Sequence, residues 1–223
     1  MTNGQRWAFA LKPASWPKLL VPMLLGQAIG IDASGRLSIA GLVLGVAFTV
    51  LHAAFVVLMN DWGDQHVDRV KRSMFPGSSK KTIPDAILPS RVLLAVGALA
   101  GLGAVAVALL GEIALGRPWL TVGAVLAVAI FVAYTLPPLR LNYRGGGELL
   151  EALGVGIVLP WINAYAQSGR LVAPALLVLP LPGAARRPAR CAAAAAAVVG
   201  LANLVEDGFG VDAAGLGFGL GNA

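Results

Sequence analysis

Charged side chains are scarce in this chain. Only 13% of its 223 residues are Asp, Glu, Lys or Arg, against 57% hydrophobic, and mean hydropathy is +0.77. That balance excludes an ordinary soluble domain and indicates a polytopic membrane protein. Cysteine is nearly absent too. Cys191 stands alone, which excludes an intramolecular disulfide and a metal–thiolate cluster. Residues 1–16 lack a basic region followed by a continuous apolar core, so no cleavable signal is expected. There is no short-period repeat. The net charge of +6 resides in the loops of a membrane protein, and no nucleic-acid partner is expected.

What the chain does have is apolar runs. Residues 1–18 form an amphipathic lead-in with Trp7, Phe9 and Trp16, and Pro13 and Pro17 interrupt any long helix there. Spans are expected over residues 19–31, 37–59, 92–110, 119–136, 149–165 and 171–181. The run at 37–59 alone is long enough to cross a bilayer as a helix. A polar loop is expected over residues 60–90, and Pro137 and Pro138 stop the fourth span. The expected fold is therefore all-α, a polytopic transmembrane helical bundle embedded in a lipid bilayer.

The charges that remain are concentrated. Residues 60–72 carry Asp61, Asp64, Asp68, Arg69, Lys71 and Arg72 directly after the second span. On a helix, Asp61, Asp64 and Asp68 fall at i, i+3 and i+7, and Asn60, Asp64 and Asp68 are one turn apart. Carboxylates so close repel unless neutralised. Mg²⁺ is typically held by one or two carboxylates plus substrate phosphates, and Lys71 and Arg72 are placed to meet the phosphate. The plainer reading, a solvated helix end, fits so dense a pattern of acids followed by bases less well.

Cation placement sets an expected topology. The N-terminus, the 60–90 loop and the Pro-Pro loop carry Arg6, Lys12, Lys18, Arg69, Lys71, Arg72, Lys80, Lys81, Arg91, Arg140 and Arg144. The alternate loops carry Arg36, Arg117 and Arg170. By the positive-inside rule the first set is cytoplasmic. The acidic motif and the Arg140/Arg144 loop then share one membrane face.

Asn60-Asp61-x-x-Asp64-x-x-x-Asp68 and Tyr134-Thr135-x-Pro137-Pro138 resemble the UbiA superfamily of intramembrane aromatic prenyltransferases. Tyr143-Arg144-Gly145-Gly146-Gly147-Glu148 and Tyr165-Ala166-Gln167-Ser168-Gly169 look most like the branch that prenylates 1,4-dihydroxy-2-naphthoate in menaquinone biosynthesis. The start at Lys12-Pro13-Ala14-Ser15-Trp16-Pro17 is also similar, with Lys where the family has Arg. The resemblance covers residues 12–170. It implies about nine spans around a lipid-open cavity, of which about six are present here. It also implies Mg²⁺ at two aspartate-rich motifs, a polyprenyl diphosphate donor, an aromatic acceptor, and residence in a bacterial-type inner or plasma membrane. Carried onto this chain, Asp64, Asp68 and Tyr134 would be catalytic. Asn60, Lys71, Arg72, Arg140, Arg144 and Glu148 would bind substrate. Asp61, Asp64, Asp68, Asp207 and Asp212 would hold metal. The acceptor alternatives, 4-hydroxybenzoate and homogentisate among them, stay open, as do prenyl length and oligomeric state.

The second motif departs from the family pattern. Asp207 and Asp212 are one residue too far apart, and the basic sequel is missing. Residues 1–181 read as a partial core. Residues 182–223, rich in Ala and Gly, read as an anomalous tail, with the reading frame truncated or disrupted from about Pro182. Other residues carry two readings each. His52 lies at mid-membrane depth, where an ionisable residue is a functional candidate, though a neutral packed His is the simpler reading. Tyr134 can present its ring face to a cation or belong to an interfacial belt. Glu148 and Glu151 suit a helix N-terminus or an acceptor contact. His66 is expected to face solvent. Two rival classes fit the sequence less well. A CDP-alcohol-type transferase would need an Asp-Gly-x-x-Ala-Arg segment, which is absent. A transporter or non-catalytic binding protein would place charges near the midplane, whereas here they gather at one face.

Overall fold

The computed structural model describes residues 1–172, and every regular element among them is helical. The chain starts with α1 (Asn3–Leu11). Its cap is reciprocal: Thr2 Oγ1 accepts from Gln5 N–H, and Gln5 Oε1 accepts from Thr2 N–H. Pro13 and Pro17 then separate α1 from α2 (Pro17–Ser34), as expected, with one short turn at Pro13–Ser15 between them. Four further long helices follow: α3 (Ile39–Gly63), α5 (Ser90–Leu115), α6 (Leu120–Thr135) and α7 (Gly147–Ser168). Of these α3, α5 and α7 are long and apolar enough to cross a membrane, and α6 is a shorter apolar helix. Five of the expected spans thus appear: those at 19–31, 92–110 and 149–165 are extended at both ends, that at 37–59 starts at Ile39 and runs on to Gly63, and that at 119–136 is one residue shorter at each end. The expected 171–181 span lies outside the described residues apart from Leu171 and Val172, as do the 182–223 tail, Asp207 and Asp212.

The 60–90 stretch differs from expectation. Its first part is helix, not loop: α3 runs on to Gly63, and α4 (Gln65–Met74) follows after a single intervening residue, Asp64. Backbone bonds from Asp64 to Asn60 and from Asp68 to Asp64 carry the i→i−4 pattern across that joint. Placing Asp68 in the first turn and Lys71 and Arg72 in the last suits the helix dipole. Only residues 75–89 are irregular.

The bundle packs α3 along α5, and α2 against the second half of α7. Between membrane helices the driving force is close packing and polar bonding, since lipid is as apolar as a leucine side chain. Small residues permit the close approach. A methyl group added at Gly26 would lie 2.3 Å from the Pro160 carbonyl oxygen. Phe48, Leu120, Leu159 and Ile162 fill the main core. Leu99, Leu102, Leu110 and Ile113 stay exposed along α5, where lipid covers them without penalty. In α7, Gly154–Val158 widens into a π turn just before Pro160. Proline lacks the N–H that a regular turn would use there. The widened turn faces the cavity described next.

Candidate active site

Helix polarity brings one end of every long helix to a common face: the start of α2, the end of α3, the start of α5, the end of α6 and the start of α7. The acidic motif and the Pro-Pro loop meet there. Thr135 Oγ1 donates to Asn60 Oδ1 at 3.1 Å. Tyr143 Oη donates to Asp64 Oδ1 at 2.6 Å, and Arg140 donates to the Gly63 carbonyl. The Arg140 guanidinium also lies 5.8 Å from the Tyr143 ring centroid. Burial, then the Asp64 hydrogen bond, pushes the Tyr143 phenol above its ordinary pKa, so it remains a donor.

The three aspartates do not converge on one point. Asp61 is buried, paired with Lys12, and accepts from Thr82 Oγ1 at 2.5 Å. Asp64 turns to Tyr143. Asp68, also buried, pairs with Lys81 at 3.3 Å. The carboxylates are thus met from three other segments: the N-terminal arm and the 75–89 loop at Asp61, the 75–89 loop at Asp68, and the Pro-Pro loop at Asp64. Among the described residues no three Asp, Glu, His or Cys side chains gather as a ready-made metal nest. The donor set nonetheless suits Mg²⁺. It offers hard carboxylate oxygens one turn apart on Asp64 and Asp68, and Mg²⁺ ordinarily takes its remaining ligands from phosphate and water.

Two of the site cations sit on unusual backbone. Lys12 (φ 45°) and Arg140 (φ 44°) are left-handed, a conformation that costs a non-glycine residue energy and concentrates at functional sites. Arg72 has another task. It donates to the carbonyls of Pro76, Ser78 and Ser79 and pairs with Asp85, so it organises the 75–85 loop. The Lys81 backbone N–H first, then Arg72, holds the Asp85 carboxyl below the usual range. Lys71, Arg144 and Glu148 are exposed at the same face, and His66 is exposed as expected.

Below this polar rim lies a cavity of about 360 Å³. Asn60 joins the two, being both a motif residue and a cavity wall. Lys12, Lys18 and Glu151 stand at the rim end, with Lys18 and Glu151 ion-paired at 2.7 Å. Deeper, the wall is aromatic and aliphatic: Trp16, Phe131, Tyr134, Val56 and Leu159. Phe131 stacks with Tyr134 at 6.2 Å and meets Phe55 edge-on at 5.2 Å. The arrangement offers a cation-bearing rim over a mostly apolar, aromatic-walled pocket. Sequence reasoning placed Tyr134 and Asn60 here and gave Glu151 an acceptor contact as one of two readings, but missed the parts played by Lys12, Lys18, Lys81 and Thr82. Their signal was only a cation or hydroxyl outside the motif, without spacing to tie it to the acids.

The sequence profile of the UbiA prenyltransferase family matches residues 19–205. The chain belongs to the UbiA prenyltransferase family. No curated protein and no solved structure matches it. UbiA membership accords with the all-helical membrane bundle and brings with it prenyl transfer to an aromatic acceptor as the family activity. The matched stretch includes Asn60 to Asp68 and continues past Pro182 to Val205, so the expected break at Pro182 finds no support in it.

Proposed function

We propose that this UbiA-family chain transfers a polyprenyl group from its diphosphate to 1,4-dihydroxy-2-naphthoate, in a Mg²⁺-dependent reaction of menaquinone biosynthesis. The observation that carries the site assignment is the docking of the Pro-Pro loop on the acidic motif, through Tyr143 on Asp64, Arg140 on Gly63 and Thr135 on Asn60. Two distant sequence segments meet directly above an aromatic-walled pocket. The branch rests on the Tyr143–Glu148 and Tyr165–Gly169 segments.

Asp64 and Asp68 would hold Mg²⁺, which when bound neutralises the diphosphate leaving group. Lys12, Lys81 and Arg140 add positive charge at the rim, with Lys71 and Arg144 at the exposed edge. Asn60 orients the head of the donor at the cavity mouth. As the carbon–oxygen bond breaks, its electron pair leaves with the diphosphate. The ring faces of Tyr134 and Phe131 stabilise the allylic cation. The enclosing wall keeps water from that cation. The acceptor ring then supplies the electron pair of the new carbon–carbon bond and loses its carboxylate as carbon dioxide. The cation asymmetry supports a cytoplasmic rim, in a bacterial-type inner membrane.

The test is prenyl transfer by the full chain in liposomes, with labelled geranylgeranyl diphosphate, Mg²⁺ and three acceptors: the naphthoate, 4-hydroxybenzoate and homogentisate. Product with the naphthoate that disappears on chelation is the expected result. Product with another ring alone overturns the branch. Product undiminished in excess chelator overturns the metal role.

A further inference from the structure

One buried polar side chain in the cavity wall has no hydrogen-bond partner among the described residues. His52 is buried in α3, yet neither ring nitrogen hydrogen-bonds another described residue, and Nδ1 is fully enclosed. Buried polar groups in folded proteins are nearly always paired, and leaving one unpaired costs free energy. The ring is nevertheless held firmly. It stacks on Phe48 at 5.5 Å with 9° between planes and meets Phe55 at 5.9 Å. Packing fixes the imidazole plane while its hydrogen-bonding capacity goes unused.

Its position is specific. His52, Val56 and Asn60 recur at helical spacing and all line the same cavity. Eight residues of helix set His52 about 12 Å from Asn60 along the axis, on the far side from the rim. The other polar lining groups, among them Lys12, Lys18, Tyr134 and Glu151, lie at the rim ends of their segments. His52 is therefore the deep polar contact in an otherwise apolar pocket floor. A prenyl tail has no group to offer an imidazole. A hydroxylated aromatic ring does, and a neutral imidazole can either donate to or accept from it.

We infer that His52, through Nε2, accepts a hydrogen bond from a hydroxyl of the aromatic acceptor at the floor of the cavity and thereby sets which ring carbon faces the donor. This rests on the prenyl-transfer reading for the identity of the acceptor, but the contact can be measured without turnover. The donor enters from the rim, the ring is anchored below, and the allylic carbon meets it between Asn60 and Tyr134.

The experiment uses the full chain in nanodiscs and two probes, 1,4-dihydroxynaphthalene and 1,4-dimethoxynaphthalene, which differ in the ability to donate. One buried hydrogen bond corresponds to about a tenfold difference in affinity. Wild type is expected to prefer the dihydroxy probe by about that factor. His52→Leu is expected to lose the preference, and His52→Asn, which retains a donor and an acceptor, to keep most of it. In transfer assays, His52→Leu is expected to raise KM for the acceptor about tenfold and leave KM for the prenyl diphosphate unchanged. Equal binding of both probes by wild type overturns the inference. So does a preference that survives in His52→Leu, or a rise in the donor KM instead of the acceptor KM. Where His52→Leu fails to fold, the wild-type preference and the His52→Asn variant decide the matter. Wild type that discriminates between probes yet transfers no prenyl group overturns the function proposed above and leaves the His52 contact standing.

Discussion

The two ends of the bundle both contain buried polar groups, but they are built on opposite principles. At the rim, the contacts are ionic or charge-assisted and join segments from loops: Lys12 to Asp61, Lys81 to Asp68, Tyr143 to Asp64, Arg140 to Gly63. At the far end they are mostly neutral amides between helices. Gln27 Nε2 donates to Asn163 Oδ1 at 3.1 Å, and Asn163 Nδ2 donates to the Leu159 carbonyl at 3.0 Å, with Thr49 beside it at 3.5 Å. Asn163 and Gln167 are almost wholly buried there, and Gly26 and Gly45 let the backbones close upon them. Arg117, where burial lowers the guanidinium pKa, reaches the Gln167 carbonyl at 3.3 Å from the adjoining loop. Neutral pairs between rigid helices bear little desolvation cost and have no reason to open. Ion pairs made by loops can exchange one partner for another, as an incoming diphosphate requires. The far end clasps α2, α3 and α7, and in the function proposed above the rim is the receptor.

That contrast is broken most severely at the rim carboxylates. Asp64→Ala and Asp68→Ala are each expected to lower the transfer rate about 100- to 1,000-fold, the scale of losing several kcal/mol of charge stabilisation. The melting temperature in detergent should shift little. An equal loss of folding and activity would show that the rim is structural. At the far end the pattern reverses. Gly26→Ala would overpack the α2–α7 contact and is expected to cost about 1–3 kcal/mol of stability, and Asn163→Ala about 1–3 kcal/mol by stranding Gln27. Both are read by thermal unfolding, with activity per folded molecule retained.

A finer distinction separates Asp61 from its neighbours. It ties the N-terminal arm and the 75–89 loop to α3 through Lys12 and Thr82. Asp61→Asn keeps an acceptor for Thr82 and loses the charge facing Lys12. The expected result is faster tryptic cleavage after Lys80 and Lys81, with a smaller loss of transfer than at Asp64 or Asp68. A loss as large as theirs would place Asp61 among the metal ligands. The smallest effect is a pH dependence of the 75–85 loop. The folded-state pKa of Asp85 is depressed, so its contribution is fully present above the ordinary carboxylate pKa and is lost as pH falls through the lower folded value. Hydrogen exchange of the loop amides should accelerate below about pH 4, and Asp85→Asn should show that faster exchange already at neutral pH.

The helices were legible because their signals are local. A 23-residue apolar run such as 37–59 has few alternatives, and proline at 13, 17, 137 and 138 marks boundaries by the absence of an N–H. The extension of helix through Asp64 to Met74 was not legible from composition, since α4 is mostly polar and held by its neighbours. The acidic motif was readable as a motif, but its reading as one face was incomplete. Spacing along a helix says where side chains start, and the partners that draw Asp61, Asp64 and Asp68 apart come from residues 12, 81, 82 and 143. Arg72 shows the same limit. Its place after the motif suggested phosphate binding, and only the fold of the 75–85 loop revealed its partners.

The amino-acid sequence alone determined that this is a helical membrane protein, where its helices lie, and which stretch carries the acids. Those properties follow from hydropathy and backbone chemistry within a window of one helix. Tertiary structure decided which side chain meets each carboxylate, that the Pro-Pro loop caps the motif, and that His52 lines a cavity without a hydrogen-bond partner among the described residues. These depend on side chains far apart in the sequence, 79 positions for Tyr143 and Asp64. Proximity at that separation is created by the packing of α2, α3, α6 and α7 and is encoded in no single stretch of the chain.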